Sequence, residues 1–263
     1  MCGAKYNIRM RMNSITGKQV LALARGGDYA HPGEEEAIEM VMASVAKRPN
    51  QLVLDVGCGC GGTAHYLANR GWGTVTGVDI DAENIASARA AYPAQTFVCA
   101  NVSDLTTAWQ GCADVICLFT AFYAFPDQAR ALAQMRAVAA DDATLVMLDY
   151  TCPASNPRLE TLRAKRTGSW QPLRLDRAPA MFAAAGWRVE TTLDLTPQFD
   201  RWYGELVRRI ISAEDAIVEH AGRQWFEFAA ERYRELAAAV REGVVGGATI
   251  SARAAPSPRP GTL

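Results

Sequence analysis

The sequence predicts an α/β fold, a doubly wound seven-stranded sheet with helices on both faces. From residue 51 onward, short apolar runs alternate with helical patterns, which is the order of a parallel sheet whose strands are joined by crossover helices. The runs are continuously apolar, as expected of strands that are covered on both faces. The seven predicted strands are 51–56, 74–79, 95–99, 114–119, 143–150, 187–193 and 246–254.

Apolar residues at helical spacing predict helices between these strands and on either side of them. The helices between the strands lie at 63–71, 82–92, 127–139 and 177–186. A further helix is predicted ahead of the first strand. It opens with the acidic run 34–36, carries Lys47 and Arg48 near its end and stops at Pro49, a polarity that suits the helix dipole. Long amphipathic patterns over 200–242 precede the last strand.

The composition indicates a soluble globular protein. The chain has 263 residues, of which 49% are hydrophobic and 21% charged, and its net charge is -1. This balance indicates neither a nucleic-acid partner nor an anionic membrane surface, and no apolar run is long enough to span a membrane. The seven cysteines are odd in number and lack the spacing of a disulfide framework or a zinc site. We therefore expect reduced thiols, no metal, and a cytoplasmic protein.

A glycine-rich stretch, LDVGCGCGG at residues 54–62, follows the first predicted strand. Ligands of doubly wound sheets bind at this kind of loop, where glycine lets the backbone approach them closely and the next helix offers free N–H groups. Gly57, Gly59 and Gly62 also satisfy the dinucleotide pattern G-x-G-x-x-G. An NAD(P)-dependent oxidoreductase therefore remains an alternative, although the Tyr-x-x-x-Lys that it predicts is absent from the sequence. Asp55, two residues before the first glycine, favours a ligand other than a dinucleotide.

The stretch VLDVGCGCGG resembles the first motif of class I S-adenosylmethionine-dependent methyltransferases, a resemblance that extends over residues 50–193 and the last strand. It implies a Rossmann-like methyltransferase fold, S-adenosylmethionine as the cofactor and S-adenosylhomocysteine as the product. Gly57 and Gly59 would approach the amino-acid part of the cofactor, and Asp55 would shape the loop.

The same resemblance assigns residues to the nucleoside. Asp79, at the end of the second strand, would accept hydrogen bonds from both ribose hydroxyls. Ile80 would lie against the adenine. In CANVSDL at 99–105, Asn101 replaces the family's usual aspartate as acceptor for the adenine amino group, and Val102 would offer its backbone N–H to the ring. Taken alone, Asp79 and Asn101 could equally be turn residues.

Three further stretches resemble the small-molecule methyltransferases, among them phosphoethanolamine and glycine or sarcosine N-methyltransferases. GGDYAHPGEEEAI at 26–38 is similar to their N-terminal lid, which implies that Tyr29, with His31 nearby, covers the methionine end of the cofactor. LFTAFYAFPDQ at 118–128 has Ala124 where that family often has a histidine, so a base is absent there. The aromatic residues of this stretch are Phe119, Phe122 and Tyr123. They would line the sulfonium or acceptor site, or alternatively pack in the core.

The segments 194–210 and 241–252 resemble the helical cap that roofs the acceptor site in this group. Residues lining that site would include Tyr150, Phe199, Trp202 and Tyr203. The resulting division is an N-terminal lid at 1–48, a cofactor-binding core at 49–195, a cap at 196–245, a last core strand at 246–254 and a disordered tail at 255–263.

Together these motifs predict methyl transfer onto a small-molecule acceptor. Since the sequence contains three histidines and no recognisable His–Asp pair, a nitrogen acceptor is favoured, because a neutral amine needs no base before attack. Carbon and oxygen acceptors stay open, as does a non-catalytic cofactor-binding protein, and the oligomeric state is not predicted. The candidate catalytic residues are Tyr29, His31, Tyr123 and Tyr203. Phe119 is assigned to the cofactor, and Phe122, Tyr150, Phe199 and Trp202 to the substrate.

Overall fold

A computed structural model describes residues 10–109, 112–164 and 169–256. Its strands are β1 (Leu52–Val56), β2 (Thr74–Asp79), β3 (Thr96–Cys99), β4 (Ala113–Phe119), β5 (Ala139–Thr151), β6 (Trp187–Asp194) and β7 (Gly246–Ala254). They form one sheet in the order β3-β2-β1-β4-β5-β7-β6. In this described sheet β7 is antiparallel to both of its neighbours, and the other pairs are parallel. The predicted doubly wound, seven-stranded sheet is thereby confirmed.

Helices cover both faces of the sheet. They are α1 (Ile15–Arg25), α2 (Glu34–Met42), α3 (Gly62–Asn69), α4 (Ala82–Ala91), α5 (Leu105–Ala108), α6 (Gln128–Ala137), α7 (Pro157–Ala164), α8 (Ala178–Ala184), α9 (Thr196–Ser212), α10 (Glu214–Ala221) and α11 (Arg223–Arg241). Two single 3₁₀ turns, Val102–Asp104 and Phe122–Ala124, follow β3 and β4. Of the predicted disordered tail at 255–263, residues 257–263 lie outside the described part of the chain.

Two apolar layers sandwich the sheet, because successive strand residues point to opposite faces. Val115, Cys117 and Phe119 of β4 face a layer that also contains buried residues of α1 to α4 and of the three helices between β6 and β7. Ile116 and Leu118 face the other layer, with residues of α5, α6 and α8. Since β4 and β5 are buried on both faces, their sequences are continuously apolar.

The helix ahead of β1 is shorter than predicted. It keeps the predicted acidic start, but α2 ends at Met42 and the chain then makes a turn in which the Val45 N–H donates to the Met42 carbonyl at 2.9 Å. Lys47 and Arg48 thus lie beyond the helix. The Lys47 ammonium sits 3.8 Å from the centroid of the Trp72 ring, so it interacts with an aromatic face and not with the helix dipole.

The N-terminal segment packs on the helices inserted before β7. Ser14 caps α1 by accepting from the Gly17 N–H, and Gly26 ends the helix in the left-handed conformation at φ +71°. Helix α1 contacts α9, α10 and α11. The insertion leaves and rejoins the sheet at one point, because the Leu195 N–H donates to the Gly247 carbonyl at 2.8 Å. The N-terminal segment and the insertion therefore form one helical layer over the sheet.

The described part of the chain contains no helix with the length and apolar character needed to cross a bilayer. Its six cysteines are all free. No group of three or more potential metal-binding side chains occurs among these residues.

Candidate functional site

The glycine loop lies at the carboxyl end of β1 and is shaped by two left-handed glycines. Gly57 has φ +82° and Gly59 has φ +56°. The N–H groups of Gly57 and Cys58 both donate to the Val78 carbonyl, at 2.7 and 3.0 Å, so the loop bends over the end of β2. A Cβ on Gly57 would overlap the Ala121 side chain, and one on Gly59 would lie 2.6 Å from the Lys18 Nζ. Glycine is therefore needed for both backbone conformation and space.

Asp79 ties this loop to the end of β2. One carboxylate oxygen accepts from the Gly59 N–H and the other from the Asp81 N–H, both at 2.9 Å. Since each carboxylate oxygen has further acceptor capacity, the side chain can still accept from a diol such as a ribose. Asp79 is only partly buried, so a ligand has access to it.

Asp55 lies beneath the loop on β1 and is almost completely buried. One of its oxygens lies 4.0 Å from the Cys117 Sγ, and the other has no hydrogen-bond partner among the described residues. Burial, reinforced by the negative charge of Asp79, raises the pKa of Asp55 to about 7. An unsatisfied buried oxygen of this kind is costly unless a further donor approaches it.

The residues predicted to contact adenine follow β2 and β3. Ile80 is 67% exposed beside Asp79, and the Ala100 N–H donates to the Asp79 carbonyl at 2.9 Å, which brings the two strand ends together. The Asn101 Oδ1 accepts from the Ser103 N–H at 2.9 Å, so Asn101 caps a turn and keeps one acceptor site. The Val102 side chain is buried in the layer that contains α6.

His31 lies at the centre of the N-terminal segment and is buried. Its Nδ1 is 3.2 Å from the Pro32 carbonyl and its Nε2 is 3.0 Å from the Thr63 Oγ1. Because a carbonyl can only accept, Nδ1 carries the proton and Nε2 accepts from the Thr63 hydroxyl. Burial lowers the pKa of His31 to about 3, so the ring is neutral. It packs 4.9 Å from the Phe119 ring, so contacts on several sides hold the imidazole in place.

Tyr29 precedes His31 and is half-buried. Its hydroxyl lies 3.2 Å from the Glu35 Oε1, and its ring meets the His31 ring edge-on with centroids 5.9 Å apart. Burial, together with the negative charge of Glu35, raises the pKa of Tyr29. The hydroxyl is therefore protonated at neutral pH and acts as a hydrogen-bond donor.

A cluster of tyrosines, here called the tyrosine cluster, lies under the inserted helices at the carboxyl end of β5. It consists of Tyr123, Tyr150, Tyr203 and Tyr233. The hydroxyls of Tyr150 and Tyr203 are hydrogen-bonded to each other, and their rings are stacked 6.2 Å apart. Tyr233 stacks on the other side of Tyr203, also at 6.2 Å, and Tyr123 meets Tyr150 edge-on at 5.0 Å. Burial raises the pKa of both Tyr150 and Tyr203, so these hydroxyls stay protonated.

Two predicted substrate residues border this cluster. The Phe199 ring is 5.7 Å from that of Tyr150 and 5.8 Å from that of Tyr203. Trp202 packs against Phe199 at 5.9 Å, and its indole N–H donates to the Glu36 carboxylate at 3.0 Å. The structure thus brings Phe199, Trp202, Tyr203 and Tyr150 together, as predicted, although they come from α9 and β5.

Phe122 does not join them. It is fully buried in the opposite layer, against Phe125 and Phe182. The reason is the 3₁₀ turn after β4, which is held by Asp149: its carboxylate accepts from the Phe122 N–H at 2.8 Å and from the Tyr150 N–H at 2.7 Å. Phe122 is a core residue, which was one of the two interpretations of this aromatic segment.

A buried ion pair that the sequence did not reveal links the N-terminal segment to the insertion. Arg25 of α1 is 7% exposed, and its guanidinium donates to both the His31 carbonyl and the Glu34 carboxylate. The other Glu34 oxygen lies 3.5 Å from Arg209 of α9. Tyr233 and Lys18 were also missed. The pattern that could have indicated a helix carrying Lys18 is the pair of capping residues of α1, Ser14 before it and Gly26 after it.

A wider surface groove lies at the amino edge of the sheet, where it is bordered by Arg136, Asp141 and Gly186. It is open and far from the groups described above. Ligands of doubly wound sheets bind at the carboxyl edge, and the glycine loop, Asp79 and the tyrosine cluster are all at that edge.

Residues 54–147, which span the glycine loop, β2, β3, β4 and most of β5, match the family pattern described as a methyltransferase domain. Over these residues the chain resembles a methyltransferase domain. Phosphoethanolamine N-methyltransferase 2 of Haemonchus contortus, whose solved structure contains S-adenosyl-L-methionine, shares this fold. The resemblance noted from the glycine loop is thereby confirmed, and the oxidoreductase alternative is not supported.

Solved structures share the fold of this chain. Phosphoethanolamine N-methyltransferase 2 of Haemonchus contortus, in complex with phosphomonomethylethanolamine and S-adenosylhomocysteine, is 14% identical with a TM-score of 0.81; the match covers 92% of this chain and 57% of that one. A cyclopropane synthase of Mycobacterium tuberculosis is 14% identical with a TM-score of 0.79, over 91% and 94% of the two chains. At these identities the likeness shows the fold.

One curated relative matches over a short stretch. The cyclopropane-fatty-acyl-phospholipid synthase of Escherichia coli (strain K12) is 36% identical over 59 residues, which are 22% of this chain and 15% of that protein. This chain therefore spans a small part of this relative, and just over half of the Haemonchus enzyme.

The residues of the site fit S-adenosylmethionine. The left-handed Gly57 and Gly59 form a cradle that a side chain would fill. Asp55 has an unsatisfied buried oxygen, and Asp79 is a partly exposed carboxylate on the neighbouring strand β2. Backbone cradle, carboxylates and aromatic faces match the amino-acid, ribose and sulfonium parts of the cofactor.

Proposed function

We propose that the protein transfers a methyl group from S-adenosylmethionine to the nitrogen of a small-molecule amine or N-heterocycle. The observation that carries this proposal is the tyrosine cluster. It offers hydrogen bonds and aromatic faces at the carboxyl edge of the sheet, but its buried hydroxyls have raised pKa values and are poor bases.

An amine acceptor suits these groups chemically. Bound S-adenosylmethionine supplies a methyl group that is already activated by its positive sulfur. The chain then has to align a nucleophile with that methyl and exclude water. A neutral amine attacks through its lone pair without losing a proton first. The faces of Tyr150, Tyr203 and Phe199 can hold the positive charge of the methylated product.

The other residues would position this chemistry. Asp79 would hold the ribose, with Ile80 and Asn101 at the adenine and Asp55 and Gly59 at the amino-acid end. Tyr29 and His31 would close the N-terminal lid over the cofactor, with His31 held by Thr63 and packed on Phe119. Trp202 would anchor the cap through Glu36. We place the reaction in the cytoplasm, since the described cysteines are free.

A carbon acceptor is the second candidate, because a curated relative that matches over 59 residues is a cyclopropane-fatty-acyl-phospholipid synthase. An alkene also attacks without prior loss of a proton, and aromatic faces would stabilise the carbocation that methylation leaves. The two candidates differ in the class of acceptor that turns over.

The first experiment is calorimetric titration of the purified protein with S-adenosylhomocysteine, with NAD and NADP alongside. Saturable binding of S-adenosylhomocysteine alone is expected. Turnover is then measured as S-adenosylhomocysteine released from S-adenosylmethionine with amines, N-heterocycles, phenols and unsaturated acyl chains. Turnover confined to nitrogen acceptors would support the proposal; turnover with unsaturated chains alone would replace it with the second candidate.

A matched pair of variants tests the tyrosine cluster in the same assay. Tyr203→Phe should raise the KM for the acceptor and leave the affinity for S-adenosylhomocysteine unchanged. The control is Tyr66→Phe. The Tyr66 hydroxyl lies away from the cluster, where it donates to the Glu39 carboxylate at 2.9 Å. Equal effects of the two variants on KM would remove the tyrosine cluster from the acceptor site.

A further inference from the structure

Lys18 is placed at the glycine loop by a helix that is distant from it in sequence. It lies on α1, and a Cβ at Gly59 would be 2.6 Å from its Nζ and 3.4 Å from its Cε, so the end of the side chain rests on the loop backbone. Val20, Leu21 and Ala24 of the same helix are buried against the helical layer. This packing fixes where the Lys18 side chain starts and directs it over the loop.

The Lys18 ammonium is half-buried and has no ion pair or hydrogen bond among the residues that the structure describes. It borders a small cavity at the loop, whose lining is Lys18, Leu21, Asp28, Tyr29, Ala30 and Cys60. Its positive charge reaches Asp55 and Cys60, where it opposes the rise in pKa that burial causes. A half-buried ammonium without a partner gains most from a carboxylate that arrives with a ligand.

The opposite charges around this loop are arranged for a zwitterion. Lys18 brings a positive group to Gly59, and Asp55, on the strand that leads into the loop, has an oxygen without a partner. An α-amino acid carries one carboxylate and one ammonium on the same carbon, so a single group can satisfy both. The amino-acid end of the cofactor is such a group.

We infer that Lys18 is a specificity residue of the cofactor site, which binds the α-carboxylate of the amino-acid part of S-adenosylmethionine from the N-terminal lid. This inference rests on the proposed function. The N-terminal lid is then part of the cofactor site: α1 binds the amino-acid end of the cofactor, and Asp79 binds the ribose.

The test compares two ligands that differ in the amino-acid part. S-Adenosylhomocysteine and 5′-methylthioadenosine share the nucleoside and the sulfur, but the second lacks the carboxylate and the ammonium. Both are titrated calorimetrically into the wild-type protein and into Lys18→Met, Lys18→Arg and Lys47→Met, after circular dichroism has shown that each variant is folded. Lys47 is the control, because it lies over Trp72 at the amino end of β1.

We expect Lys18→Met to weaken binding of S-adenosylhomocysteine by about 10- to 100-fold, the range for a lost hydrogen bond between charged groups. Binding of 5′-methylthioadenosine should be unchanged, Lys18→Arg should restore part of the loss, and Lys47→Met should behave as wild type. Unchanged affinity of Lys18→Met for S-adenosylhomocysteine would overturn the inference, as would an equal loss for both ligands. If the wild-type protein binds no S-adenosylhomocysteine, the proposed function itself fails.

Discussion

Gly57→Ala tests whether the glycine loop is held by space as well as by backbone conformation. At φ +82°, an alanine costs about 1–2 kcal/mol, because its Cβ crowds the carbonyl in the left-handed region. The new methyl also overlaps the Ala121 side chain, and overpacking of this kind costs about 1–3 kcal/mol. The two add to about 2–5 kcal/mol, a large part of the free energy of unfolding of a typical domain.

The chain contains a control for each of these contributions. Gly71 has the same φ of +82°, and nothing lies within 4 Å of its Cβ position, so Gly71→Ala should show the backbone cost alone. Ala121→Gly removes the overlapping methyl, so Gly57→Ala combined with Ala121→Gly should be more stable than Gly57→Ala alone. This gain is expected although Ala121→Gly by itself costs about 0.5–1 kcal/mol.

Urea unfolding followed by circular dichroism measures these differences, provided that the transitions are two-state. The reasoning is refuted if Gly57→Ala and Gly71→Ala are equally destabilising, since the contact with Ala121 would then contribute nothing. It is also refuted if Ala121→Gly fails to restore stability to Gly57→Ala.

Three further outcomes are expected. Asp79→Ala should weaken S-adenosylhomocysteine binding by about 1.5–3 kcal/mol in calorimetry, the scale of a lost charged hydrogen bond, and unchanged affinity would remove it from the cofactor site. Burial lowers the pKa of His31 to about 3, below its ordinary value of 6.5, so the stability present above pH 6.5 is lost as the pH falls towards 3. The difference in unfolding free energy between wild type and His31→Gln, measured by urea unfolding, should therefore shift against the wild type as the pH falls from 6.5 to 4. A constant difference would contradict a buried neutral ring. Tyr203→Phe should cost about 1–3 kcal/mol of unfolding free energy, because the buried Tyr150 hydroxyl loses its partner, and adding Tyr150→Phe should recover part of it; additive losses would argue against the shared hydrogen bond.

The strands could be predicted because their burial leaves a local signal. β2 and β7 begin and end where predicted. β5 is longer than its apolar pattern, because Ala139 pairs with Ala113 of β4. Asp141 and Asp142, which lie between Ala139 and the apolar run, are exposed. Backbone pairing extends that strand, and such pairing leaves no hydrophobic pattern in the sequence from which the start of β5 could be predicted.

The candidate site could be predicted in part, for a related reason. Gly57, Gly59 and Asp79 belong to one local motif whose geometry is set within β1, β2 and the loop. Lys18 and Tyr233 reach the site through the packing of separate helices, and no local pattern specifies that packing. The same limit explains Phe122, whose direction is decided by a turn and by a carboxylate 27 residues away.

The position of β7 bears on how the chain is made. β7 is the strand that joins β5 to β6, and it is C-terminal to every other described element. During synthesis, β5 and β6 emerge before the strand that lies between them, so their facing edges stay unpaired until the helical insertion has also been translated. An unpaired edge is a site for association with other chains. A ribosome-bound chain of this protein is thus exposed to misassembly for the time needed to translate about three helices, and chaperones that cover strand edges would act in that interval.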